Sequence, residues 1–258
     1  MDIQQHNSKA WDKLVGDEIE WSVPVSSEEI ENARNGEWEI ILTPIKAVPR
    51  EWFGDVAGKD ILCLASGGGQ QAPILAAAGA NVTSFDASAK QLEMDKFVVE
   101  RENLEIRLEK GDAADLSRFE DGSFDLIFNP CSTCFMAELQ PIWNECYRVL
   151  RKGGSLLTGF NQPFIYMYDY KAEEERDVLE LKHKLPYSDL ESLTEAEKQE
   201  LIEKNEPFEF SHSLDTQIGG QIEAGFLIAG FYEDWWDDES RLLSKYAPTF
   251  ISTKAIKP

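Results

Sequence analysis

The chain has 258 residues, enough to bury a substantial core, and 42% of them are hydrophobic, which fits a globular protein and excludes a disordered one. Lys and Arg number 25 against 48 Asp and Glu, a net charge of −23 that repels polyanions and disfavours RNA or DNA as a partner. Apolar runs stay short of the roughly 18 residues a membrane helix requires, and the N-terminus lacks the basic and apolar regions of a secretory signal. The expected location is the cytoplasm.

Residues 1–57 show no strand-like alternation and read as a helical N-terminal cap. Ser26 followed by Glu29 forms a capping box that opens a helix, and Gly58 closes the segment. The pattern then changes. DILCLA reads as a strand buried on both faces, APILAAAGA as a helix ending at Gly79, and NVTSFD as a second strand. A helix over Ala89–Arg101 follows, then a third strand in LEIRLEK, a turn at Gly111 and a fourth strand in FDLIFNP. PIWNECYRVLRKGG reads as a helix closed by its glycines, and SLLTGF as a fifth strand. Strands alternating with helices imply a doubly wound, mostly parallel α/β sheet.

Residues 162–206 interrupt the alternation. They begin aromatic, end charged, and include a helix capped by Thr194 ahead of Glu197. Residues 207–258 are expected to complete the sheet. FEFSHSL reads as a further strand and DTQIGGQIEAGF as a helix ending at Gly225. LIAGFYED and TFISTKAIK are two late strands with an acidic, Trp-rich segment between them. A single domain over 1–258, with a cofactor-binding core over 58–160 and an inserted lid, is the simplest organisation.

ASGGGQQA joins the first strand to the first helix of the alternating region. Glycines let a ligand approach the backbone, and the helix start offers N–H groups to negative charge. Gly67, Gly69 and Ala72 fit G-x-G-x-x-A, and Asp86 is placed for ribose hydroxyls. An NAD-dependent dehydrogenase and a nucleoside-cofactor transferase would both use this much. The order Gly67, Asp86, GDAADL at 111–116, FDLIFNP and YRVLRKGGSLL resembles the class I S-adenosylmethionine-dependent methyltransferases, in the small-molecule branch of quinone and sterol methylases.

The resemblance spans roughly 58–160 and implies a Rossmann-like, seven-stranded sheet closed by an antiparallel strand. It implies that Ala65, Ser66, Gly67, Gly68 and Gly69 wrap the methionine part of S-adenosylmethionine. Asp86 would take the ribose hydroxyls, Ala87 and Ser88 flank the adenine, Asp112 accept its amino group and Ala113 N–H face a ring nitrogen. Asn129 would border the reacting methyl. Two positions depart from the pattern: Cys63 stands where the first strand usually carries an acid, and Ala65 where the loop usually starts with glycine.

The expected reaction is in-line methyl transfer to a small-molecule acceptor, leaving S-adenosylhomocysteine. The alternatives are an RNA-modifying methyltransferase and a non-catalytic cofactor binder. Trp11, Trp21, Tyr166, Tyr168 and Tyr170 lie in the segments outside the sheet and are candidates to roof the pocket near a cationic sulfonium. His212, after an apolar run, is the candidate general base. Asn129-Pro130 continues as Cys-Ser, without the second proline and aromatic of enzymes that methylate base amino groups. Cys131 and Cys134 form a lone C-x-x-C, read as a redox pair, a substrate thiol site or small residues in a tight loop; no metal site is expected.

Overall fold

A computed structural model describes residues 1–17, 19–236 and 241–258. Seven strands form one sheet in the order β3-β2-β1-β4-β5-β7-β6. They are β1 (Asp60–Leu64), β2 (Asn81–Asp86), β3 (Ile106–Lys110), β4 (Phe124–Asn129), β5 (Leu150–Asn161), β6 (Leu227–Asp234) and β7 (Phe250–Ile256). β1 to β5 are parallel, and β7 runs antiparallel between β5 and β6.

β1 shows why the sheet is buried on both faces. Ile61 and Cys63 join a core with Phe53, Leu75 and Phe128, whereas Leu62 and Leu64 join one with Trp143, Phe85 and Leu156. Alternate residues of a strand point to opposite faces, so an unbroken apolar run is what a central strand requires. Helices α2 (Ser27–Arg34), α4 (Gln71–Ala77) and α5 (Ala89–Glu102) pack on the Ile61 and Cys63 face, and α6 (Gln140–Val149) packs on the other. The capping box at Ser26 and Glu29 forms as read. The first 57 residues contain α1 (Ile3–Gly16), α2 and the short α3 (Arg50–Phe53). After β5 come α7 (Tyr170–Arg176), α8 (Asp189–Ser192) and α9 (Glu195–Lys204), the last with the Thr194–Glu197 capping box.

Three local readings change. α6 stops at Val149, and Gly153 and Gly154 lie inside β5. There the register with β4 shifts between Phe124 and Leu126, and a Cβ on Gly154 would sit 2.9 Å from the Asp125 carbonyl oxygen. The glycines serve a strand irregularity and not a helix end. FEFSHSL is not a strand. Its backbone is shared among three elements: Phe208 N–H donates to Asn7 Oδ1, Phe210 N–H to Cys134 O and Ser211 N–H to Tyr187 O. DTQIGGQIEAGF opens with a π-helical turn (Asp215–Gly219) before α10 (Gly220–Glu223). Part of the acidic segment between β6 and β7, residues 237–240, lies outside the described residues.

Candidate active site

The loop after β1 turns sharply. Ala65 has φ +47°, Gly68 +114° and Gly69 +76°, and Ala65 N–H donates to Phe85 O at 2.7 Å. A positive φ costs an alanine more than a glycine, so Ala65 holds this conformation only because its neighbours fix it. Gly67 is needed for space: a Cβ there would lie 2.6 Å from Gln91 Cβ.

Asp86 ends β2 beside this loop. Its Oδ2 accepts Gly67 N–H at 3.0 Å and its Oδ1 accepts Ser88 N–H at 2.8 Å. Burial pushes its carboxyl up to about 6, against the two N–H bonds that favour the charge. A carboxylate has about four lone-pair positions. Each oxygen therefore keeps acceptor capacity for a ligand hydroxyl.

A second carboxylate holds the loop from behind. Asp95 on α5 is fully buried, accepting Gly69 N–H at 2.8 Å and the Ser84 hydroxyl at 2.6 Å. Burial raises it to about 7. It also adds to the effect of burial in raising the Cys63 thiol. Asp95 thus lies close to Cys63 of β1, behind the loop. Sequence reading passed over Asp95, although the signal was there. It sits in the buried stripe Leu92, Asp95, Val98 of an amphipathic helix, where a carboxylate needs a buried partner.

The loop opens into a cleft of about 1180 Å³ at the carboxyl ends of the parallel strands. Ala65, Ser66, Gly67, Asp86, Ala87, Ser88, Asp112 and Ala113 line it; Gly68 and Gly69 lie behind the lining. Asp112 is exposed, with Oδ1 accepting Ala114 N–H. Ser88 caps α5, and its hydroxyl donates to Asp12 of α1 at 2.6 Å. Trp11, Trp21, Tyr166, Tyr168 and Tyr170 all line the same cleft, brought there by the two segments outside the sheet.

Asn129 and His212 do not line it. Asn129 is 1% exposed; its Nδ2 donates to Leu64 O and Ser132 Oγ, and its Oδ1 accepts the Thr158 hydroxyl. That side chain ties β4 to β1 and β5, and the next residue, Pro130, reaches the cleft instead. His212 is buried with Nε2 2.8 Å from Met136 O, and burial lowers its pKa. The ring is thus engaged by a backbone carbonyl, away from the residues that line the cleft. Cys131 and Cys134 are unpaired thiols whose ionisation burial suppresses, which favours the tight-loop reading over redox chemistry.

α1 and the insertion meet over the cleft. Asn7 Nδ2 donates to Phe135 O and Phe208 O, His6 Nε2 lies 2.8 Å from Glu206 O, and Ser8 donates to Ala87 O. Farther along, Val25 N–H donates to Gly69 O and Gln70 Nε2 to Glu20 O. The N-terminal segment is thereby fastened to the glycine loop, to the start of α5 and to the end of the insertion.

Residues 62–158 match the family described as Methyltransferase domain. Over 98% of its length the chain is 48% identical to an uncharacterized methyltransferase, YbaJ, of Bacillus subtilis (strain 168), covering 97% of that protein. The chain belongs to the class I S-adenosylmethionine-dependent methyltransferases. A sterol 24-C-methyltransferase of Pneumocystis carinii is 27% identical over 62% of this methyltransferase and 46% of the relative. Its fold also matches a crystal structure of an S-adenosylmethionine-dependent methyltransferase from Mesorhizobium loti. The TM-score is 0.59 at 18% identity, covering 80% of this chain and 94% of that one.

Proposed function

We propose that this methyltransferase moves the methyl group of S-adenosylmethionine to a small-molecule acceptor held between α1, the insertion and the ends of β4 and β5. The observation that carries this reading is the cleft. Ligand sites usually enclose about 300–1000 Å³, and a single cleft of about 1180 Å³ has room for cofactor and acceptor together. When bound, the cofactor supplies an electrophilic methyl on a sulfonium, so the protein's work is alignment and exclusion of water.

The residues present fit that cofactor. Asp86 has acceptor positions left for two ribose hydroxyls. Asp112 has a free oxygen for the adenine amino group, with Ala113 N–H beside it for a ring nitrogen. Ala65, Ser66 and Gly67 face the methionine part, while Gly68 and Gly69 let the loop turn. Trp11, Trp21, Tyr166, Tyr168 and Tyr170 cover the acceptor side. Among the described lining residues ten carry carboxylates and four are Lys or Arg. An acidic wall suits a cationic cofactor and repels a polyanion, which argues against RNA as acceptor. No helix among the described residues is long and apolar enough to cross a membrane.

Calorimetry is expected to show S-adenosylhomocysteine binding and no binding of NAD; the reverse preference would overturn the reading. Affinity is also expected to depend on pH through Asp86. Hydroxyls donating to its carboxylate favour the charged form, so binding lowers its pKa from about 6. Affinity should therefore be constant above pH 7 and fall as pH drops below about 6, by at most tenfold per unit. A flat profile from pH 5 to 8 would show that Asp86 does not meet the ligand.

Segments 1–25 and 162–206 are proposed to act as a lid. Hydrogen exchange on both should slow when S-adenosylhomocysteine binds. Changes confined to residues near 65–70, 86 and 112 would make these segments fixed walls.

A further inference from the structure

We propose that Tyr166 and Glu209 form the proton-accepting pair for the methyl acceptor, and that the acceptor is a small amine entering as its ammonium ion. This rests on the methyltransferase reading above and adds the substrate class and the residues that handle its proton. Tyr166 follows β5 by five residues, in the 3₁₀ turn Pro163–Met167. Its hydroxyl donates to Glu209 Oε2 at 2.7 Å and accepts from Asn161 Nδ2 at 3.0 Å. One lone pair of the phenol oxygen is left for a donor in the cleft, which Tyr166 and Glu209 both line.

Glu209 forms no ion pair with a Lys or Arg among the described residues, although sixteen other contacts of that kind are made. Its backbone is fixed instead, by Glu209 N–H donating to Asp189 Oδ2 at 2.6 Å. Burial, with Asp189 adding to it, raises the Glu209 carboxyl above the usual range, so it is a stronger base than a surface carboxylate. Arg241, which is paired with Glu173, lowers this carboxyl less than burial raises it, and a half-buried carboxylate left without a cation in direct contact favours a cationic ligand. The rings beside it suit the same ligand. Tyr166 and Tyr187 stack at 5.4 Å and 20°, and both line the cleft. Aromatic faces attract ammonium groups. An anionic acceptor would meet these carboxylates at close range.

The chemistry balances without another reactant. The ammonium gives one proton to the Tyr166 oxygen as the phenol proton passes to Glu209 Oε2, leaving a neutral amine and a neutral Glu209. The freed nitrogen lone pair then forms the N–C bond while the C–S bond breaks, its electron pair going to sulfur. The product departs as an N-methylammonium ion, and Glu209 later returns its proton to water.

The test uses the full chain with benzylamine and its uncharged analogue benzyl alcohol. With S-adenosylhomocysteine present, benzylammonium is expected to bind about tenfold or more tightly than benzyl alcohol. With S-adenosylmethionine, N-methylbenzylamine should form. Glu209→Gln should abolish the binding preference and slow methylation about 100-fold. Tyr166→Phe, which keeps the ring and removes the relay, should keep most of the binding but lose rate. Both variants should bind S-adenosylhomocysteine as the parent does, which also reports that they fold. Equal binding of the two probes, no N-methylation by the parent, or a Glu209→Gln variant with unchanged preference and rate overturns the proposal. Loss of S-adenosylhomocysteine binding by the parent would instead sink the methyltransferase site itself.

Discussion

Asp86→Ala is expected to lose about 2–4 kcal/mol of S-adenosylhomocysteine affinity, roughly a 30-fold to 1000-fold rise in Kd. Two losses combine. The ligand hydroxyls lose a charged acceptor, and Gly67 N–H and Ser88 N–H lose the carboxylate that fixes the loop and the start of α5. Asp86→Asn should fall between, because its amide oxygen can accept only one of those N–H groups well. The fold should survive, since β2 pairs with β1 over Asn81–Phe85 and with β3 over Val82–Asp86, and Asp86 is its last residue. Calorimetry with a thermal melt of each variant separates affinity from stability. An Asp86→Ala protein with parental Kd would reduce Asp86 to a loop tether.

The second large effect is expected at Asp95 and reads out in stability. Asp95→Ala leaves Gly69 N–H and the Ser84 hydroxyl buried without their acceptor, at about 2–5 kcal/mol. Asp95→Asn can accept from Gly69 and donate to Ser84, so it should cost little. The two also differ in pH response. Folded Asp95 holds its proton up to about pH 7, whereas in the unfolded chain it lets go in the ordinary carboxylate range. Its contribution thus favours the fold fully below that range and is lost as pH rises through about 7. Asparagine does not titrate, so Asp95→Asn should gain on the parent between pH 5 and pH 8. Urea unfolding at both values checks this; a parallel loss by parent and Asn variant would show that Asp95 is ionised throughout.

The sheet, and the loop and strand-end residues that line one side of the cleft, were legible because they depend on short segments. An apolar run such as DILCLA, a glycine cluster and an aspartate at a strand end each carry their meaning within a few residues. The rest of the cleft depends on tertiary partners. Asn129 and His212 looked available, but long-range neighbours claim them: Leu64 and Thr158 for the first, Met136 for the second. Glu209 went unremarked because its partner Tyr166 is 43 positions away. FEFSHSL alternates like a strand, yet Asn7, 201 residues earlier, takes its backbone. Local pattern reports propensity; it does not report which distant group arrives to use a backbone amide.

The Asn7 tie has a consequence for the nascent chain. Its amide joins helix α1 to Phe208, and His6 and Asn205 add bonds spanning 200 and 196 residues between the same two regions. Helix α1 must therefore wait for a segment made about 200 residues later before its polar face is satisfied. Such distant closures come late, because the entropy of a long loop must be met first. The strands flanking the glycine loop can pair while synthesis continues, but the roof of the cleft forms only after residue 208 has emerged. A polypeptide cut short before that point would carry the cofactor fingerprint without an enclosed chamber.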